Sequence, residues 1–192
     1  TENRRLRETD AVFGLRYDPT RKRGPVLVRE PLNGADPAAW EVVYGAFRTK
    51  KEADNALREF AILYKLCPRR IGIEPWSDGA CLAHQMKRCA GVCAGKEGQA
   101  AHDERLLKVL ESLRLRRWPW SGPVAIREYH AETGRSAVHV VDQWCLLGSV
   151  EDEAELGCLL EALPARRFEL DTYRILQRWL ETPTGRGAVT PL

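Results

Sequence analysis

Leu66-Cys67-Pro68-Arg69-Arg70, followed by Ala80-Cys81-Leu82-Ala83-His84-Gln85-Met86-Lys87-Arg88-Cys89-Ala90-Gly91-Val92-Cys93, is the stretch that decides how this 192-residue chain reads. It places four cysteines within 27 residues, in C-x13-C-x7-C-x3-C spacing. Thiolates at that density hold zinc or an iron–sulfur cluster, because both take soft sulfur ligands. Zinc sites usually carry paired short knuckles, and only Cys89 and Cys93 approach one here. The looser spacing points towards a cluster, with zinc as the alternative. His84 could replace one ligand in a zinc site, though a histidine so placed more often lies on the surface or beside the ligands. The competing account, four reduced core cysteines, does not explain why they sit so close together.

Working outward, the composition is that of an ordinary globular protein: 44% hydrophobic and 30% charged residues. The chain is long enough to bury a core without disulfide staples, and no apolar signal segment opens it. Disulfides are therefore disfavoured and a reducing cytoplasm fits best. No run approaches the roughly 18 apolar residues of a membrane span. Cys145 and Cys158 lie in apolar surroundings and read as small buried hydrophobes. The chain opens at Thr1 in a charged run, which reads as a piece of something longer.

The expected fold class is α+β: small antiparallel β units packed with amphipathic helices around a four-cysteine metal site. Residues 1–48 read as a β unit with a basic loop. Phe13, Leu15 and Tyr17 alternate, Val26-Leu27-Val28 forms a second strand, and Trp40, Val42 and Tyr44 alternate again. Residues 49–115 read as a helical cysteine region. Thr49 and Glu52 form a capping box, with an apolar stripe of Ala53, Ala56, Leu57, Phe60, Leu63 and Tyr64. Pro68 should end that helix at Cys67. A second amphipathic helix follows over about 102–115. Residues 116–181 read as a hairpin, in which Val124 and Ile126 face Val138 and Val140, plus two helices. The first of these is capped by Ser149 and carries Leu156, Leu159, Leu160 and Leu163. Residues 182–192 read as a loose tail.

Basic residues are the second signal. Arg4, Arg5 and Arg7, Arg21, Lys22 and Arg23, and Arg48, Lys50 and Lys51 form three clumps, while Arg69, Arg70, Lys87, Arg88 and Lys96 accompany the cysteines. Such groups suit phosphate contacts, although any one clump alone is more simply a solvated surface. The net charge of +3 permits a nucleic-acid partner without demanding one. Trp118 and Trp120 could stack on bases, but packing is the commoner use. No phosphate-binding Gly-rich loop, nucleophile–histidine spacing or carboxylate pair is present, so no self-contained active site is expected. A non-enzymatic zinc module for RNA or protein, or an electron carrier, remain rivals from other classes.

Three segments together resemble the UvrC excinuclease family, closest to its shorter Cho-type members. They are Tyr44-Gly45-Ala46-Phe47-Arg48-Thr49-Lys50-Lys51-Glu52-Ala53, Leu66-Cys67-Pro68 and the run from Cys81 to Cys93. The segments Trp118-Pro119-Trp120-Ser121-Gly122-Pro123 and Val138-His139-Val140-Val141-Asp142-Gln143-Trp144 resemble the Cho-type carboxyl half. The resemblance implies DNA cutting in nucleotide excision repair and, on Cys67, Cys81, Cys89 and Cys93, a [4Fe–4S] cluster. It implies DNA as partner, with a UvrB-like repair protein and an upstream GIY-YIG nuclease domain, in the cytoplasm on the nucleoid. The GIY-YIG signature itself is absent. Its closing Asn could match Asn3, but Glu2 stands where a Tyr is expected. The chain on its own is therefore expected to be inactive.

Overall fold

The structure, a computed structural model, describes residues 12–192; Asn3, Arg4, Arg5 and Arg7 lie outside that range. The fold is α+β, with two small antiparallel sheets. The chain divides into two compact units, one of residues up to 32 together with 41–115, the other of 33–40 together with 116–192.

In the first unit, Phe13–Tyr17 (β1) lies between Leu27–Pro31 (β2) and Tyr44–Phe47 (β3), in the order β2-β1-β3. β1 alternates as the sequence predicts: Leu15 is buried opposite Arg29 and Tyr44. The third strand begins later than the Trp40-Val42-Tyr44 alternation suggested. Between the Phe13–Phe47 and Leu15–Tyr44 pairs, β3 carries one more residue than β1, a bulge at Gly45. Gly45 has φ +68, and a side chain there would meet the Phe47 ring at 2.4 Å, so this position requires glycine.

Thr49 caps the helix Lys50–Leu63 (α1) as expected, its hydroxyl accepting from the Glu52 amide at 3.0 Å. The Glu52 carboxylate reaches back to the Arg48 amide, one residue beyond the usual box partner, Thr49. The buried face is Ala53, Leu57 and Ala61. The expected stripe extended too far: Leu63 is 71% exposed and Tyr64 is exposed as well. The helix also stops before Cys67. Lys65 turns into the left-handed region at φ +51, and the Leu66 amide bonds back to the Ala61 carbonyl at 3.1 Å, the closure of a Schellman motif. Leu66, now pointing inward, joins Leu15, Leu57, Ile71, Leu106 and Leu110 in one core. The helices Leu82–Gln85 (α2) and Gln99–Leu110 (α3) complete the unit, α3 contributing Leu106 and Leu110.

In the second unit, Val124–His130 (β4), Arg135–Asp142 (β5), Cys145–Val150 (β6) and Val189–Pro191 (β7) form a sheet in the order β6-β5-β4-β7. The hairpin is as expected, but its register places Val124 opposite Val141 and Ile126 opposite His139. β6 takes the place of the predicted Ser149 cap. The helix Glu153–Glu161 (α4) is capped instead by Asp152, whose carboxylate accepts from the Glu155 amide at 2.8 Å. The helix Leu170–Leu180 (α5) buries Tyr173, Leu176 and Leu180. The segment read as a loose tail forms the short helix Pro183–Gly187 (α6) and the strand β7, paired with β4. Cys145 is buried as expected, but Cys158 is exposed on α4. Trp118 packs edge-on against Trp120 and Trp144 at 4.7 and 5.3 Å, with its indole N–H on the Gly122 carbonyl. It serves the core and is not a free stacking platform.

Within the described residues, no helix is long and apolar enough to cross a membrane. The corrected stripe of α1 has a measurable consequence. Leu57→Ala should cost about 2–5 kcal/mol in denaturant unfolding, whereas Leu63→Ala should stay within about 0.5 kcal/mol. Equal losses at the two positions would restore the longer stripe.

Candidate metal centre

Backbone N–H groups are aimed at the sulfurs of Cys81, Cys89 and Cys93. Cys67 begins a single helical turn, closed by the Ile71 amide on the Cys67 carbonyl at 3.1 Å. Pro68 occupies the first position of that turn, where a missing N–H has no consequence, and the backbone of Arg69 and Arg70 draws the Cys67 pKa down against the stronger effects that raise it. Cys81 is the N-cap of α2, its Sγ accepting from the His84 amide at 3.3 Å. The Gly91 amide points at Cys89 Sγ at 3.3 Å, and the Cys81 amide at Cys93 Sγ at 3.4 Å. Amides so aimed favour an anionic sulfur. The four Sγ atoms all lie within 4.8 Å of one another, Cys67, Cys81 and Cys89 being buried and Cys93 half-buried. The sequence-predicted ligand set is thus assembled, and its chemistry fits a thiophilic metal or cluster.

The loops are braced to hold this arrangement. Gly91 has φ +99, and a Cβ on it would meet His84 Cε1 at 2.6 Å and Lys96 Cβ at 2.9 Å, so only glycine fits at this position. His84 is not part of the sulfur group. Its Nδ1 lies 3.0 Å from the Cys89 carbonyl, where a protonated nitrogen donates and ties α2 to the Cys89 loop. The thiol forms of Cys67 and Cys81 are favoured. A hydrogen bond with Cys89, and then burial, pushes the Cys67 thiol well up, and burial pushes Cys81 up to about 11. Metal entry must displace these protons.

Two groups that sequence reasoning missed lie directly behind the site. His102 is fully buried, and its Nε2 accepts the Cys67 N–H at 3.0 Å. Its proton is therefore on Nδ1, donated to Asp103 Oδ1 at 2.9 Å. Burial pushes the His102 pKa down and keeps the ring neutral. Burial also opposes the Asp103 charge, but hydrogen bonds from Arg70 and His102 outweigh it and hold the carboxyl below its usual range. Arg105 grips Glu97 with both Nη atoms (2.5 and 3.1 Å) and places Nε on the Tyr64 carbonyl at the end of α1. Apart from the adjacent His102–Asp103 pair, no local spacing signals these roles, because the partners are 8 to 41 residues apart.

The basic residues divide into two groups. Arg70 is 2% exposed and lies in a fork on Asp103, so it is withdrawn from the phosphate-contacting set. Arg69 is half-buried, and its Nη1 donates to the Ser77 and Gly79 carbonyls, both at 2.9 Å, closing the loop that returns Cys81 to Cys67. Arg21, Lys22, Arg23, Arg48, Lys50, Lys51, Lys87, Arg88 and Lys96 are exposed. Lys96 stands over Gly91, beside the sulfurs. Lys50 also lies 5.4 Å from the centroid of the Phe13 ring. Among the described residues, the cysteines are the one group of three or more metal-binding side chains that comes together.

Comparison with known proteins places these features. Residues 25–112 match the family model described as the UvrC/Cho excinuclease middle domain, and residues 123–192 match that of the excinuclease Cho C-terminal domain. Excinuclease Cho of Escherichia coli strain K12 is 37% identical over 175 residues, 91% of this chain and 56% of that protein. The Shigella flexneri protein gives the same values, and that of Salmonella typhi is 38% identical over 135 residues, 70% of this chain and 45% of its own length. The chain spans about half the length of the curated relatives it matches. No solved structure matches it. With both of the family's consecutive domain models matched in order along its length, the chain belongs to the UvrC/Cho excinuclease family.

Proposed function

We propose that this chain is the metal-organised, DNA-binding region of a Cho-type endonuclease acting in nucleotide excision repair. The observation that carries the proposal is the amide-lined set of four thiols, surrounded by exposed lysines and arginines, in a chain of the excinuclease family. Cys67, Cys81, Cys89 and Cys93 would hold a [4Fe–4S] cluster, supported by the open C-x13-C-x7-C-x3-C spacing. Its contribution is structural: four covalent ties joining the turn after α1, the cap of α2 and the loop through Gly91. Scission would be supplied by a nuclease domain elsewhere in the protein, since this sequence carries no GIY-YIG signature. A UvrB-like repair protein is a further partner of the whole protein under this reading, which places it in the cytoplasm on the nucleoid.

The role of this chain's own residues is positioning. Lys87, Arg88 and Lys96 lie on the cysteine loops and would meet phosphates. Lys50 and Lys51 occupy the first turn of α1, where the helix dipole disfavours cations, so their placement does not serve helix stability. An anion bound there would reverse that cost.

One observation favours zinc as a second reading. A single tetrahedral ion with bonds of about 2.3 Å sets its sulfurs about 3.8 Å apart, close to the compactness of this site. A four-iron cube spreads its thiolates wider. Anaerobic purification separates the two readings: brown protein with about four irons per chain supports the cluster, and colourless protein with one zinc supports the ion.

Cys89→Ala should lose the metal, unfold the first unit and abolish duplex binding together; a folded variant that binds DNA normally would overturn the organising role of the site. Lys87→Ala and Arg88→Ala should each reduce the slope of log affinity against log salt by about 0.9. Unchanged slopes in both would remove these residues from the interface.

A further inference from the structure

The guanidinium of Arg70 faces two ways. One edge forks onto Asp103, Nε to Oδ1 at 3.2 Å and Nη2 to Oδ2 at 2.6 Å. The same carboxylate receives the Tyr17 hydroxyl at 3.2 Å and His102 Nδ1–H at 2.9 Å, and His102 in turn holds the Cys67 amide. The other Arg70 nitrogen, Nη1, leaves the cysteine region. It donates to the carbonyl oxygens of Arg21 at 2.6 Å and Gly24 at 3.3 Å. The Gln99 side chain, at the start of α3, donates to the Lys22 carbonyl at 2.7 Å. The Val26 amide closes the far end of this loop onto the Arg70 carbonyl at 2.8 Å.

Three carbonyls of the loop between β1 and β2 are thus gripped by side chains from the cysteine region. That loop presents exposed Arg21, Lys22 and Arg23. An ion pair serving only the core would need the Asp103 fork alone. The additional grip on Arg21 and Gly24 uses the planar guanidinium, which presents donors on two edges at fixed angles.

We propose that Arg70, Asp103 and His102 are positioning residues forming a buried link from Cys67 to the 18–26 loop, so that an occupied cysteine site fixes the basic loop for phosphate contact. The link rests on the DNA-binding reading above, but its test does not. A metal at Cys67 anchors the turn that begins there, that turn carries Arg70, and Arg70 carries the loop backbone. Loss of the metal frees the turn and with it the loop.

Hydrogen exchange on the metal-loaded full chain, read by mass spectrometry, tests this. Stripping the metal with a chelator should accelerate amide exchange in peptides covering 18–26 about tenfold or more. Asp103→Asn, measured with its metal content intact, should accelerate the same peptides while α1 and the β5–β6 hairpin keep their protection. Arg70→Lys, which keeps the charge but loses the two-edged donor geometry, should do likewise and covers the case in which Asp103→Asn fails to fold. A loop that stays protected in metal-loaded variants, or exchange that rises uniformly through the first unit, overturns the link. In duplex titrations the loaded variants should lose salt slope corresponding to up to three contacts, about 0.9 each. If the unaltered chain binds no DNA, the proposed function fails, while the exchange result still decides the link.

Discussion

Four sulfurs within 4.8 Å of one another are an electrostatic problem before they are a ligand set. Ionised, they repel; protonated, they cannot bind metal. This chain meets the constraint with backbone dipoles, and each device has a sequence cause. Pro68 starts the turn at Cys67, where the backbone of Arg69 and Arg70 draws that thiol's pKa down. Cys81 serves as a helix cap, and Gly91 adopts a backbone that side chains rarely take, which brings its own amide to Cys89. Dipoles aimed in this way favour the thiolate form that a metal requires. The buried His102 completes the arrangement by engaging the Cys67 amide.

The four-cysteine group was legible in the sequence because it carries a rare residue type at close spacing. The α1 cap was legible because Thr49 and Glu52 carry their chemistry locally. What could not be read depends on partners distant in the chain. Arg70 looks like any surface arginine beside a cysteine until Asp103, 33 residues away, takes its guanidinium. The end of α1 was misplaced because Pro68 is a visible stop signal, whereas a lysine in the left-handed region at 65 is not.

The same contrast explains the missed strand β6. Tight hairpin turns usually show Asn-Gly, but here Gln143 and Trp144 both take positive φ, 49° and 64°. Trp144 accepts that backbone because its ring is held between Trp118 and Tyr173 and its N–H bonds the Arg116 carbonyl at 2.8 Å. Tertiary packing fixed the turn, and turn propensity alone would not have found it. Asp142, opposite Cys145 at the base of that turn, is buried and paired with Arg166, so a charge also holds the corner in place.

The pairing of β7 with β4 bears on the order of events during synthesis. Every described residue of the first unit has been made once the ribosome passes position 115, so its thiols can be gathered early. The second unit has an open β4 edge until residues 189–191 emerge, and it must also hold 33–40, made long before. Gathering of the four thiols and closure of the second sheet are therefore separable in time. A fault in the cysteine loops would then be felt before the second sheet has closed, with that sheet still free to form.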